Sequence, residues 1–209
     1  GDRLHPHYGV FAPIRGDYVG LVAETPLPVP VPQRAFDVGT GTGVLAAVLA
    51  RRGIAEVVAT DLDPRALACA RENIVRLGVQ DQVTIEAADL FPTGRAGLIV
   101  CNPPWLPARP SSALEHAIYD PENRMLRGFL SGLGAHLEAG GTGWLILSDL
   151  AEHLGLRSRE ALLDWIAAAG LVVVGRLDAR PTHPRARDTA DLLHTVRTRE
   201  ITSLWQLQA

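Results

Sequence analysis

The sequence predicts an α/β fold with a doubly wound, mostly parallel sheet, and three observations carry that expectation. Apolar strand patterns alternate with helical ones from residue 34 onward. A glycine-rich turn, Gly39-Thr40-Gly41-Thr42-Gly43, joins the first strand to the first helix of that series. Polar residues then mark the ends of the later strands, at Asp61, Asp89 and Asn102. Such residues at the carboxyl edge of a parallel sheet surround a nucleotide-type pocket.

Taken in order, residues 1–33 are rich in proline and turn formers and read as an N-terminal extension and linker, with one short helix from Asp17 to about Glu24. Pro26, Pro28, Pro30 and Pro32 form a stiff, extended lead into the sheet. Residues 34–209 read as the main domain. Strand one is 34–38 and its helix 43–52, stopped by Gly53. Strand two is Glu56 to Thr60; Asp63 then caps a helix with Pro64 in its first turn, running to about Leu77 and ending at Gly78. Strand three is Val83 to Ala87 and strand four Gly97 to Cys101. A proline- and serine-rich connection covers 105–119. A helix over 121–138 stops at Gly140-Gly141, and strand five follows from Gly143 to Ser148. A helix over 157–169 leads to strand six, Leu171 to Leu177, and Ile201 to Leu207 alternates like a last strand, antiparallel beside strand six.

Composition limits the function classes. An apolar fraction of 47% over 209 residues is ample for a buried core. No run is long and apolar enough to span a membrane, and no signal peptide is visible. Cys69 and Cys101 lie in apolar surroundings that suit reduced thiols, so a cytoplasmic protein is expected, as a monomer or small homo-oligomer. The net charge of -3 argues against bulk electrostatic binding of nucleic acid and leaves room for a local basic patch. All twenty basic residues are Arg, which removes lysine chemistry. His5 and His7 have no Cys or acidic cluster beside them in sequence, so no metal site is expected.

The chemistry concentrates at the ends of the first four strands. Alternate glycines let a ligand approach the backbone, and the helix that follows points its free N–H groups at it. Asp61 sits where a carboxylate accepts hydrogen bonds from two ribose hydroxyls; the competing role, helix cap, suits Asp63 better. Leu62 would pack on an adenine face. Asp89-Leu90-Phe91-Pro92 can read an adenine amino group, or form an Asp-led turn. In Asn102-Pro103-Pro104-Trp105 the prolines fix the backbone as it leaves the sheet. The Asn102 side-chain oxygen and the Pro103 carbonyl can then accept two hydrogen bonds from one NH2 group, while Trp105 offers a flat face to a planar amide or base. The nitrogen of an amide or aromatic amine is a poor nucleophile because its lone pair is delocalised. Two fixed acceptors on its hydrogens favour the pyramidal nitrogen of a transition state.

These motifs together resemble the class I S-adenosylmethionine-dependent methyltransferases whose fourth motif is Asn-Pro-Pro-aromatic, and within them the HemK/PrmC protein-glutamine methyltransferases. Gly9 to Arg15 is similar to that family's Val-Leu-Ile-Pro-Arg-Pro segment, Asp89-Leu90-Phe91 to its Asp-Leu-Phe, and Asn102 to Leu106 to its Asn-Pro-Pro-Tyr-Ile. The resemblance implies a seven-stranded sheet and S-adenosylmethionine as cofactor. It places Asp37, Gly39, Thr40, Gly41 and Gly43 around the cofactor, its methionyl part above all; Asp61 and Leu62 at the ribose and adenine, Asp89 and Leu90 at the adenine, and Asn102 with Pro103 at the target nitrogen. Trp105 stands where the family has Tyr, Ile14-Arg15-Gly16-Asp17-Tyr18 replaces its Pro-Arg-Pro-Glu-Thr-Glu continuation, and the helical domain by which bacterial members recognise release factors has no counterpart in this sequence. The expected substrate is therefore a protein glutamine amide or, as the alternative, an amino group of adenine or guanine in RNA or DNA. A small-molecule amine, or a non-catalytic scaffold that binds the cofactor, stands behind these.

Four further groups complete the expectation. Arg176, Arg180, Arg185 and Arg187 read as a basic loop between the last two strands, near the substrate's path. Tyr119-Asp120-Pro121-Glu122 can line the substrate pocket, and Asp149 and His153 can reach the acceptor. Trp144, Trp165 and Trp205 read as packing.

Overall fold

The computed structural model describes residues 4–10, 16–107, 119–180 and 200–209. In chain order the elements are α1 (Asp17–Glu24), β1 (Arg34–Val38), α2 (Val44–Arg51), β2 (Glu56–Asp61), α3 (Pro64–Arg76), β3 (Val83–Ala87), β4 (Ala96–Cys101), α4 (Arg124–His136), β5 (Leu137–Ser148), α5 (Leu150–His153), α6 (Arg159–Ala168), β6 (Val172–Ala179) and β7 (Thr202–Gln208). The strands form one sheet in the order β3-β2-β1-β4-β5-β7-β6. The first five pair in parallel, and β7 is inserted antiparallel between β5 and β6. The chain winds one way from β1 and then the other from β4, so a crevice opens where β1 and β4 lie side by side.

Period-two alternation divides the sheet between two core layers. Ala35, Val57, Leu98, Trp144 and Leu204 face α1, α2 and α3. Phe36, Val58, Ile99, Leu145 and Trp205 face α4 and α6. Every residue of β4 is buried, as a central strand covered on both faces requires. Leu98 is fully buried, and truncating it to Ala costs about 2–5 kcal/mol on the usual scale for core leucines. Helix α1 of the N-terminal extension contributes Tyr18, Leu21 and Val22 to the first layer. Capping at α3 follows its local sequence: the Asp63 carboxylate accepts from the Arg65 N–H, Pro64 begins the helix, and Gly78 turns the chain at positive φ.

Two boundaries differ from the sequence reading. Helix α4 ends at His136, and the chain passes directly into β5 at Leu137, which pairs with Ala96. Gly140-Gly141 therefore lies inside β5, at an irregularity in its pairing with β4, and does not stop the helix. A side chain on Gly141 would crowd the carbonyls of Glu138 and Gly97, so that glycine serves close backbone approach, while Gly140 takes a positive φ. Helix α5 is too short to leave a periodic signal, and the sequence reading missed it. Among the described residues no helix is long and apolar enough to cross a membrane. Cys69 and Cys101 are free, buried thiols.

Candidate active site

A cavity of about 710 Å³ opens at the carboxyl ends of β1, β2 and β4. Its floor is the glycine loop. Thr40 N–H donates to the Thr60 carbonyl of β2 at 2.8 Å, and Gly43 N–H closes a turn onto Thr40 at 2.9 Å. Gly41, at φ +56, takes a backbone shape that L side chains rarely adopt, and nothing lies within 4 Å of the position a side chain would fill. The loop thus presents backbone to the cavity.

Asp37 holds this loop from below. Its Oδ2 accepts from Thr40 Oγ1 at 2.6 Å and from Ala46 N–H at 3.0 Å. Burial pushes its pKa up to about 6; the two hydrogen bonds pull it down, and the nearby Asp61 charge adds to the rise. Asp37 is not on the cavity wall, and neither is Gly43, which packs α2 against Ala70 of α3. The structure therefore brings these two expected cofactor residues beneath the site, where the buried Asp37 carboxylate ties the Thr40 hydroxyl of the loop to the first turn of α2.

The other expected residues do line it. Gly39, Thr40, Gly41, Asp61, Leu62, Asp89 and Leu90 form one end, and Asn102, Pro103, Pro104 and Trp105 the other. Asp61 Oδ2 accepts from Gly41 N–H and Oδ1 from Asp63 N–H, both at 2.9 Å. The Leu62 N–H is a third backbone donor to this carboxylate, which with about four lone-pair sites still keeps acceptor capacity for a ligand. Burial raises the Asp61 pKa against the pull of those backbone donors. Helix capping belongs to Asp63. Asp89 is half exposed and pairs with Arg124 at 2.6 Å. Leu62 is largely exposed at the rim. Leu90 has φ +75, a conformation costing a non-glycine residue about 1–2 kcal/mol. It is held by Thr60 Oγ1, which donates to the Leu90 carbonyl at 2.5 Å.

At the opposite end Asn102 and Trp105 are half-buried and Pro103 is buried. The Trp105 indole N–H donates to Asn102 Oδ1 at 2.9 Å, so Trp105 does more there than offer a flat face.

Tyr119, Asp120 and Pro121 line the cavity as expected, and Glu122 does not. Asp120 accepts from the N–H groups of Met125 (2.8 Å) and Leu126 (3.0 Å), which fixes the start of α4. Asp149 and His153 stand away from the wall. Asp149 accepts from Ile201 N–H at 2.8 Å and lies 3.3 Å from His153 Nε2, which ties α5 to the start of β7. Arg176 belongs to β6, not to a loop: it pairs with Asp178 at 2.7 Å and lies over the Trp205 ring. Arg185 and Arg187 lie outside the described residues. Trp144 is buried in the first core layer and Trp205 in the second, against which Trp165 packs.

Sequence reasoning missed Tyr18, Glu200 and Met125. Tyr18 is buried, lines the cavity from α1, and has its pKa raised by burial and by the Asp37 and Asp17 carboxylates. Glu200 is buried on the wall and accepts from Ser148 Oγ at 2.5 Å. A side chain at Gly39 would collide with Met125. Only Tyr18 left a trace in the sequence, as an apolar position of a helix. Among the described residues no three His, Cys, Asp or Glu side chains gather to hold a metal ion; His7 instead pairs with Glu72 at 2.9 Å.

Residues 2–153 match the family model of the methyltransferase small domain. The chain is 34% identical over 169 residues to the release factor glutamine methyltransferase of Cereibacter sphaeroides, an alignment covering 73% of this chain and 58% of that one. It is 37% identical over 84 residues to the tRNA1(Val) (adenine(37)-N6)-methyltransferase of Porphyromonas gingivalis, covering 36% of this chain and 33% of that one. The chain thus spans little more than half the length of the first of these relatives and a third of the second. The fold is similar to that of a SAM-dependent methyltransferase from Geobacter sulfurreducens solved with S-adenosyl-L-homocysteine, with a TM-score of 0.58 and 17% identity over 100% of this chain and 94% of that one.

Proposed function

The chain belongs to the methyltransferase small-domain family, and from that premise we propose that it transfers a methyl group from S-adenosylmethionine to a planar NH2 group, first of all a glutamine side-chain amide of a translation-related protein. The observation that carries the reading is the position of Asn102-Pro103-Pro104-Trp105 at the end of β4, in the same cavity as the glycine loop and Asp61. The cavity fits the cofactor on its own features: a volume ordinary for such ligands, a loop whose Gly39 and Gly41 leave backbone open to it, and a buried carboxylate with acceptor capacity left at its edge. When bound, the cofactor supplies an electrophilic methyl on a sulfonium sulfur.

Residues 34–209 carry the chemistry in this reading, and the extension 1–33 completes the wall through Gly9, Val10 and Tyr18. Asp61 holds the ribose hydroxyls, Leu62 and Leu90 flank the adenine, and Asp89 reads its amino edge. Asp37 keeps the glycine loop in shape from beneath. Asn102 Oδ1 and the Pro103 carbonyl accept the two hydrogens of the acceptor NH2, which draws its lone pair out of conjugation and aims it along the line of attack. With the cofactor bound, transfer of its methyl to this nitrogen would leave a neutral thioether, and the extra proton on the methylated nitrogen would pass to water afterwards, so no strong base is needed. The reducing surroundings that Cys69 and Cys101 suit point to the cytosol.

An adenine or guanine amino group is the second reading, favoured by the likeness to the tRNA adenine enzyme. The test is transfer of radiolabel from S-adenosylmethionine into a lysate that lacks this protein, followed by digestion with protease, RNase or DNase. Label lost to protease supports the glutamine reading. Label lost to a nuclease replaces it with the nucleobase reading. Cofactor binding with no labelled macromolecule points to a small acceptor or a scaffold.

A further inference from the structure

A carboxamide has two ends of nearly equal size and opposite character, an oxygen that accepts and an NH2 that donates. At Asn102 the difference decides whether the site works. Only the oxygen can take a hydrogen from an incoming NH2; the flipped amide would set donors against donors. Among the described residues the hydrogen bond recorded for this side chain is the one from Trp105 Nε1, 2.9 Å from Oδ1. An indole nitrogen is a donor and nothing else. It accommodates the oxygen opposite it and rejects the NH2. The intervening Pro103 and Pro104 fix their own φ angles, so the two partners are carried on a stiff turn.

We infer that Trp105 is a positioning residue whose indole N–H selects the orientation of the Asn102 carboxamide, leaving the second lone pair of Oδ1 for the methyl acceptor. The inference rests on the amino-transfer reading and adds a role that a phenylalanine, with a similar flat ring and no donor, cannot fill. It excludes the opposite arrangement, in which Trp105 plugs the site by occupying Oδ1 and must leave before the acceptor binds. The two differ in sign: removing the donor impairs a positioned site and relieves a plugged one.

The experiment has two arms. In the first, protein carrying ¹⁵N in its Trp indoles and Asn side chains is saturated with S-adenosylhomocysteine, and the Trp105 resonance is assigned by its loss in Trp105→Phe. Asn102→Ala is expected to shift that resonance and speed its solvent exchange by about tenfold or more, one hydrogen bond's worth of protection. Trp105→Phe is expected to broaden or double the Asn102 carboxamide signals. An indole resonance unmoved by Asn102→Ala overturns the inference. In the second arm, single-turnover methyl transfer is followed into the lysate fraction that the wild type labels. Trp105→Phe is expected to slow transfer by about tenfold while S-adenosylhomocysteine affinity stays within about twofold. An equal or faster rate overturns the inference. Should the wild type label nothing, the reading of an amino group on a macromolecule falls, and the first arm still decides whether Trp105 orients Asn102.

Discussion

The two ends of the cavity are built on different terms. At the Asp61 end the polar groups are already engaged with each other: Asp61 with the N–H groups of Gly41 and Asp63, Asp89 with Arg124, and Thr60 with the Leu90 carbonyl. At the Asn102 end, among the described residues, a hydrogen bond from Trp105 fixes the side chain that faces the cavity. The first end is a preorganised mould in which Asp61 has more than one support and its neighbours each hold a partner, so losing one group lowers affinity by degrees. At the second end the two acceptors meet the reacting nitrogen itself, and losing one there removes the interaction that grows in the transition state.

Four outcomes break or sharpen that contrast. The largest is expected at Asn102→Ala: methyl transfer falls by about 10²–10³-fold, while calorimetry finds the S-adenosylhomocysteine dissociation constant within about threefold of wild type. A variant that lost cofactor and turnover together would erase the distinction between the ends. Asp61→Ala comes next, weakening S-adenosylhomocysteine by about 10–100-fold, the value of hydrogen bonds to a charged group. Unchanged binding would remove Asp61 from the ribose.

Asp37 predicts a pH dependence. Its pKa is raised in the fold, to about 6 from an ordinary 3.8, so between those values the folded state holds a proton that the unfolded chain has released. The sign follows: this residue's contribution is most favourable below about pH 4 and turns into a cost as pH rises toward and through 6. Asp37→Asn keeps an acceptor for Thr40 and Ala46 and abolishes the titration. Urea unfolding of the two proteins should diverge across that window by on the order of 2–3 kcal/mol, with the variant gaining relative to wild type as pH rises. Parallel curves would mean that the loop leaves this carboxyl its ordinary pKa. The smallest effect is expected at Arg124→Ala. The Asp89–Arg124 pair is at least half exposed on both sides, so stability should move by less than about 0.5 kcal/mol in thermal unfolding. A larger loss would mean that the pair braces the mould after all.

Much of this site was legible in the sequence because its main parts are local. A strand, a glycine turn and a helix N-terminus follow one another within a dozen residues, and Asn102 to Trp105 are consecutive. Asp61 and Asp89 needed only the rule that strand ends meet along one edge. Tyr18 and Glu200 were not legible, because α1 comes to the cavity by packing on α2, β6 and β7, elements distant from it in sequence, and Glu200 is brought in by the start of β7. Gly140-Gly141 misled because a glycine pair stops a helix and loosens a strand with equal ease; the pairing of Leu137 with Ala96 decides which.

By itself, then, the sequence determined the α/β class, the order of strands and helices, and the residues that meet at the carboxyl edge, since these depend on periodicity and on short-range turn chemistry. Tertiary structure alone decided which way the polar side chains turned. Asp37 faces the loop and not the cavity, Asp149 and His153 face β7, Arg176 lies on Trp205, and the Trp105 N–H is spent on Asn102. Those choices turn on which donors and acceptors come within 3 Å once the layers have packed, and a buried polar group left without one costs about 1–3 kcal/mol.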